Sequence, residues 1–395
     1  MSATHASGVP ATLRKVAACM GLFGLACLAL LSGSDRQSRD FPNSPSLAGW
    51  PYDTGAARAK AMLSFVRTGP ASAIGPARRA ILSDPLSAQA VSTLGRAQLY
   101  AEQFPEARKT FLVSGQLGWR DAMTQIYWLD QSLQQKDYPV AAQRLDALLR
   151  QSPDDENRDR FLAIVAQTPE GRSALADRLK LSPGWALRIA TAVKELPAEQ
   201  VLQRVDLMQR TGKGVWDCNT SEPVAQKLIS LDLLDEAQSI WRMNCASSSS
   251  LVYDGSFDVF DTLRTSEAFD WQLSNRGDAD IAATQDGAGN RSLALEVNAT
   301  ISLPVIRQLV VLKPGAYRLV WRTPRTTAAQ AKAMRVSLSC KADLSRALDG
   351  TAVPGNPDTW TATITVDAEC PARPLVFWLA PKVPVNLDDV TLEPF

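Results

Sequence analysis

Hydrophobic positions along this chain follow three rhythms in turn. An uncharged apolar run comes first, from Val16 to Leu31. A helical period near 3.6 then holds from Thr54 to Cys245, and beyond Ser250 the alternation tightens to period 2. Inside the helical stretch, Pro85 to Pro153 holds two copies of a 34-residue pattern. Leu94, Gly95, Ala107 and Phe111 of the first copy become Trp128, Leu129, Ala141 and Leu145 of the second. Two antiparallel helices approach closely only where a small residue such as Ala107 or Ala141 admits a bulky neighbour. The pattern predicts helices over Leu86–Ala101, Pro105–Ser114, Ala122–Gln135 and Pro139–Gln151. Thr54 to Asp84 reads as a degenerate first repeat, with Ala77 and Ala80 at the packing positions. After Asp154 the pattern weakens but stays helical, and near the end Ala237 and Trp241 stand where Ala141 and Leu145 stood.

The period-2 region predicts strands over Leu251–Val259, Phe269–Ser274, Ser292–Asn298, Ile306–Val311, Gly315–Arg322, Met334–Cys340, Trp360–Val366, Leu375–Leu379 and Val390–Leu392. So many short strands in one stretch indicate an antiparallel β-sandwich. The fold class expected is therefore α + β and multidomain. Its parts are an N-terminal transmembrane helix or signal segment, a helical repeat array and a C-terminal sandwich. The boundaries read as 1–34 for the cytoplasmic tip and anchor or signal, 35–53 for a polar linker, 54–245 for the array and 251–395 for the sandwich. Trp50 and Tyr52, late in the linker, are expected to dock on the first helix.

Charge adds little to this picture: 42 Lys+Arg against 41 Asp+Glu leaves no field for nucleic acid or an anionic surface. The N-terminus adds more. Arg14 and Lys15 precede the apolar run, which would span roughly 24 Å as a helix against a bilayer core of ~30 Å. Val16–Leu31 reads as a single-pass membrane anchor, with residues 1–15 in the cytoplasm and everything after Leu31 outside it. Signal cleavage, giving a secreted or periplasmic chain, is the alternative. Four cysteines beyond the run fall into two local couples, Cys218 with Cys245 and Cys340 with Cys370, which fits two disulfides in an oxidising compartment. The one histidine, His5, precedes the apolar run, so no Ser-His-Asp triad and no His-ligated metal can form in the exported part. An enzyme is not expected.

Two resemblances sharpen these readings. The 34-residue period, with its large–small and Ala–aromatic positions, resembles the tetratricopeptide (TPR) repeat, which implies a stacked array that docks protein partners. The C-terminal region resembles jelly-roll carbohydrate-binding modules and galactose-binding-like domains. The residues carrying that likeness are Gly255-Ser256-Phe257-Asp258 with Phe269-Asp270-Trp271 at the opening, the stretch Leu312-Lys313-Pro314-Gly315-Ala316-Tyr317, and the closing run Leu387-Asp388-Asp389-Val390-Thr391-Leu392. Such a module implies a structural Ca²⁺ between the first and last strands, with Asp258 and Asp389 as its acids, although Ser256 stands where an acid is usual. It also implies a sugar platform, for which Trp321 and Trp360 are the candidates if they face outwards. The combination of anchor, array and sandwich is similar to proteins of bacterial exopolysaccharide clusters. The function this implies is a non-enzymatic, membrane-tethered scaffold that binds protein partners through the repeats and glycan through the sandwich. A carbohydrate-binding protein with the helices as spacer, or a carbohydrate-active enzyme using two carboxylates, are the alternatives.

Overall fold

The structure is a computed structural model that describes residues 11–41, 43, 47, 49, 53–151, 158–245, 250–262, 268–274 and 277–395. His5, Trp50 and Tyr52 lie outside the described residues. The chain divides into two compact units, Met1–Val165 and Ala166–Phe395.

The first unit contains α1 (Ala11–Asp40), whose stretch Lys15–Ser38 is long and apolar enough to cross a membrane, with Asp35 and Ser38 near its end buried. The helix does not stop at the small residues Ser32-Gly33-Ser34. It continues to Asp40, so the polar linker expected from residue 35 starts as helix. Its end is tied down. The Asp35 carboxylate accepts from the Ala56 amide at 2.9 Å, and Ser34 Oγ accepts from the Leu47 amide at 2.8 Å.

Three helical hairpins follow: α2 (Thr54–Arg67) with α3 (Pro70–Ser83), α4 (Ala88–Tyr100) with α5 (Phe104–Leu117), and α6 (Ala122–Gln134) with α7 (Tyr138–Gln151). Ser87 and Asp121 cap α4 and α6 by accepting from the amides of Ala90 and Thr124. Proline enters α5 and α7 in the first turn, where a missing N–H costs nothing. The packing follows the repeat's logic. Ala107 and Ala141 are fully buried, and a Cβ at Gly95 would lie 2.9 Å from the Phe111 ring. Phe111 in turn stacks on Tyr127 with centroids 4.1 Å apart, joining one hairpin to the next. The helix α8 (Asp159–Ala166) follows in the chain.

The second unit begins with α9 (Pro169–Leu179), α10 (Ala186–Thr191) and α11 (Ala198–Thr211), then the hairpin of α12 (Cys218–Ser230) and α13 (Leu234–Asn244). Asp217 and Thr220 form a reciprocal capping box at the start of α12. A disulfide from Cys218 to Cys245 clamps the open end of this hairpin. Trp241 on α13 then meets Tyr253 and Phe269 edge-on, at 5.3 and 6.0 Å, so the last helix packs on the sandwich.

The sandwich comprises β1 (Gln272–Leu273), β2 (Ala279–Gln285), β3 (Arg291–Val297), β4 (Leu303–Val311), β5 (Gly315–Arg322), a short α14 (Ala328–Ala331), β6 (Met334–Leu338), β7 (Leu348–Asp349), β8 (Thr351–Val353), β9 (Asn356–Val366), β10 (Ala372–Leu379) and β11 (Val385–Pro394). They form two antiparallel sheets, ordered β1-β4-β10-β6-β7 and β2-β3-β11-β5-β9-β8. Leu293, Leu295, Leu319, Ile364, Phe377 and Leu387 fill the layer between them. A second disulfide, Cys340 to Cys370, links the segments after β6 and before β10.

Two strand expectations are corrected. Leu251–Val259 is a series of turns, because Asp254 and Phe257 take positive φ and the Asp254 carboxylate collects the amides of Asp258 and Val259. In the other direction, Ala279–Gln285 is a full strand paired with β3, although its polar and Ala-rich sequence carries little alternation.

Candidate binding surfaces

Trp321 and Trp360 face each other across the β5–β9 register, and both point inward, with 1% and 2% of their surface exposed. Their neighbours in each strand, Arg322 and Thr361, take the outer face instead, as strand alternation requires. The backbone at Gly350, between β7 and β8, lies over the two rings. A Cβ there would come within 2.5 Å of Trp321 and 3.3 Å of Trp360. Trp360 Nε1 donates to Thr323 Oγ1 at 3.0 Å. These residues are core, and the expected sugar platform is corrected: neither ring offers a face to a pyranose. The outer face of this sheet carries Arg318 and Arg322 beside Thr361, Thr363, Thr391 and Glu393, a surface of hydroxyls and ion pairs.

Asp258 and Asp389 do not form the acid pair of a metal site. Ca²⁺ takes six to eight oxygens, and here the oxygens of the opening segment already have donors. The Asp254 carbonyl accepts from Trp271 Nε1, the Gly255 carbonyl from the Val390 amide, and the Asp258 and Phe260 carbonyls from the two arms of Arg291 at 2.7 and 2.8 Å. Asp258 accepts from Ser256 Oγ through its side chain. Asp389 is ion-paired with Arg322 at 2.8 Å, and Arg322 also reaches Asp358 at 3.2 Å. The hydrogen bond that Arg322 donates to Asp389, and then the one to Asp358, raise the guanidinium's pKa against the opposing effect of burial. Among the described residues no three His, Cys, Asp or Glu side chains gather in a metal-binding group. The residues present do not fit the ion, since guanidinium, indole and amide donors already occupy these oxygens.

Two carboxyls near this seam are perturbed by burial. Asp254 is pushed up to about 6, first by desolvation and further by the nearby Asp270 and Asp258, against the pull of the two amides it accepts. Asp388 is raised by the same desolvation, partly offset by the 2.8 Å hydrogen bond from Asn290. Between α13 and the sandwich lies a cavity of about 20 Å³, lined in part by Trp241, Tyr253 and Gln308. That is room for a single water.

Exposed apolar surface is found on the helical repeats. Leu86, Phe104, Leu112, Val113 and Trp119 are each between 44% and 78% exposed. Two arginines of the repeat hairpins stack on aromatic rings. Arg96 lies over Phe65 at 4.6 Å and Tyr100 at 5.9 Å, and Arg144 on α7 lies over the Trp119 ring at 4.0 Å. Trp119 is held in the loop between α5 and α6 by Gln151, whose Nε2 donates to its carbonyl at 3.1 Å. Arg144 Nη1 donates to Gln125 Oε1 at 3.3 Å, and burial lowers the guanidinium's pKa. The sequence reading missed this cluster. Its members lie 19 and 25 residues apart, and only the packing of α6 on α7 brings them together.

No family model and no curated protein matches this chain. Among solved structures it is similar to Pseudomonas aeruginosa PilF, with 19% identity over 47% of this chain and 88% of that one, at a TM-score of 0.28. A structure described as CBM4 is similar at 18% identity over 36% of this chain and 99% of that one, at a TM-score of 0.25. The enzymatically active domain of bacteriophage CBA120 tailspike protein 4 is similar at 15% identity and a TM-score of 0.26. That match covers 39% of this chain, and the chain spans about a quarter (23%) of the tailspike domain.

Proposed function

We propose that this chain is a membrane-tethered, non-enzymatic adaptor in the assembly or export of an envelope polysaccharide or exopolysaccharide. In this reading α1 anchors it in a bacterial inner membrane with the folded units in the periplasm. The helical repeats dock a protein partner, and the sandwich meets the glycan through hydrogen bonds from its polar outer face. The observation that carries the reading is the placement of the apolar surface. The sandwich keeps Trp271, Trp321, Trp360 and Trp378 at 8% exposure or less, while the repeats expose Leu86, Phe104, Leu112, Val113 and Trp119. Large apolar side chains left to solvent along α5 and the segments flanking its hairpin are the surface that such a partner would cover. The two disulfides agree with an oxidising compartment.

Photocrosslinking in cells tests this. A photoreactive phenylalanine at Leu112 or Phe104 should trap one discrete protein, while the same probe at Ile301 of the sandwich should not trap that protein. Absence of any discrete protein adduct from the repeat positions would sink the docking reading. Titration of the full chain with envelope polysaccharide addresses the sandwich separately. Binding weakened by Thr361→Val and Arg318→Gln is expected, and binding indifferent to both would remove the outer face from the reading.

A further inference from the structure

Hydrogen bonds fix which end of the first hairpins lies beside the apolar helix. The Leu47 amide returns to Ser34 Oγ at 2.8 Å, and the Ala56 amide, in the first turn of α2, donates to Asp35 at 2.9 Å. Arg67, the last residue of α2, donates to Asn43 at 2.8 Å, beyond the end of α1. So α2 starts level with Ser34 and runs away from the apolar run. α3 comes back: Ser83, its last residue, donates to Asp53 at 2.6 Å, just ahead of α2. The end of α5 joins the same side, where Ser114 Oγ donates to the Ala88 carbonyl at the start of α4 at 3.2 Å. This end of the hairpins carries Leu47, Leu82, Leu86 and Trp119, all exposed, the three leucines by 74% or more. Asp35 and Asp53 are buried here, while Asp84 and Arg120 are exposed and offset each other in charge. The surface is apolar without being ionic.

Its distance from a bilayer follows from helix geometry. Ser34 lies three residues past Leu31, ~4.5 Å along a helix, and the headgroup layer beside a bilayer core is roughly 5–8 Å deep. Leu47, bonded to Ser34, falls inside that layer. The apolar run, at roughly 24 Å, is also short of a ~30 Å core, and a short span draws flanking residues into the bilayer.

We propose that the end of the repeat hairpins bearing Leu47, Leu82, Leu86 and Trp119 rests on the lipid bilayer, with those side chains in the headgroup layer. The inference rests on the reading of α1 as a membrane anchor. It assigns Leu86 and Trp119 to lipid and leaves Phe104, Leu112 and Val113 to the protein partner. Leucine gains from leaving water at the headgroup boundary, and the amphipathic indole of tryptophan is suited to the same depth. Held there by α1 and by this second contact, the hairpins stand out from the membrane in one orientation.

The test places a fluorescent amino acid at one site of the full chain, reconstituted into phosphatidylcholine nanodiscs, and reads quenching by nitroxide-labelled lipids. With the nitroxide at the headgroup, probes at Leu82 and Leu86 should lose fluorescence. A probe at Val66, exposed at the far end of α2, should keep it. The loss should persist at high salt, because an apolar contact is not screened. With the nitroxide in mid-chain, a probe at Phe23 reports the anchor itself. A thermal melt of each labelled chain establishes that it folds. Quenching at Phe23 with none at Leu82 and Leu86 would overturn the proposal and leave the anchor standing. Equal quenching at Leu82 and Val66, or quenching at Leu82 abolished by salt, would also overturn it. No quenching at Phe23 would overturn the anchor and the proposal together.

Discussion

Asp254 holds two backbone amides inside a seam that favours its protonated form, and a pH dependence follows. Its folded pKa, about 6, lies above the ordinary 3.8, so the folded chain binds this proton more tightly than the unfolded chain. The stabilisation this gives is full below about pH 4 and is lost as pH rises through about 6. Above that the ionised carboxylate costs about 3 kcal/mol, at roughly 1.4 kcal/mol per pKa unit. Asp254→Asn keeps an oxygen for the amides of Asp258 and Val259 and removes the charge. It should raise the melting temperature at pH 7.5 and flatten the fall in stability between pH 4 and 6. An unchanged pH profile would exclude Asp254 as its source. Gly350 makes a second prediction at this scale. Its backbone lies against Trp321 and Trp360, so Gly350→Val should cost about 1–3 kcal/mol by overpacking, seen in a denaturant titration. Neither effect is legible in the sequence, where Asp254 reads as a strand residue and nothing near Gly350 points to the distant rings it covers.

Among elements, the helical hairpins were the most legible. Their signal is local: small residues at Gly95, Ala107 and Ala141, and proline and capping residues at the helix starts, each act within one repeat. Phe111 carries the hairpin contact and the stack on Tyr127 together. Phe111→Ala should therefore destabilise the first unit by about 3–5 kcal/mol, as large-to-small changes in a core do. A loss under about 1 kcal/mol in the unfolding curve would mean the stack contributes little. The strands were legible where apolar and polar residues alternate, as in β5 and β9. They were misread where a side chain captured the backbone, as Asp254 does, or where pairing with β3 alone makes a strand of Ala279–Gln285. The disulfides span 27 and 30 residues, and closing loops of that size is worth about 3–4 kcal/mol.

At the scale of the whole molecule, the stability of the chain should not depend on a divalent metal. Arg291 and Arg322 already hold the oxygens that tie the opening and closing segments. Thermal unfolding of the full chain should be the same in calcium and in chelator, while Arg291→Ala should lower the melting temperature. A clear upward shift with calcium alone would show that an ion competes successfully for those oxygens.

The sequence by itself determined the three rhythms: an apolar helix, a repeat of helical hairpins and an alternating β region with two cysteine couples. Those follow from periodicities of one to about 34 residues, which local sterics and burial translate directly into elements. Only the tertiary structure decided which aromatics are walls and which are surface. Trp321 and Trp360 became core because a distant glycine lets the backbone close over them. Trp119 stayed half in solvent under Arg144 because α6 and α7 meet there. Whether a side chain faces solvent or a cation finds a counter-charge depends on residues far along the chain, and no local period encodes that.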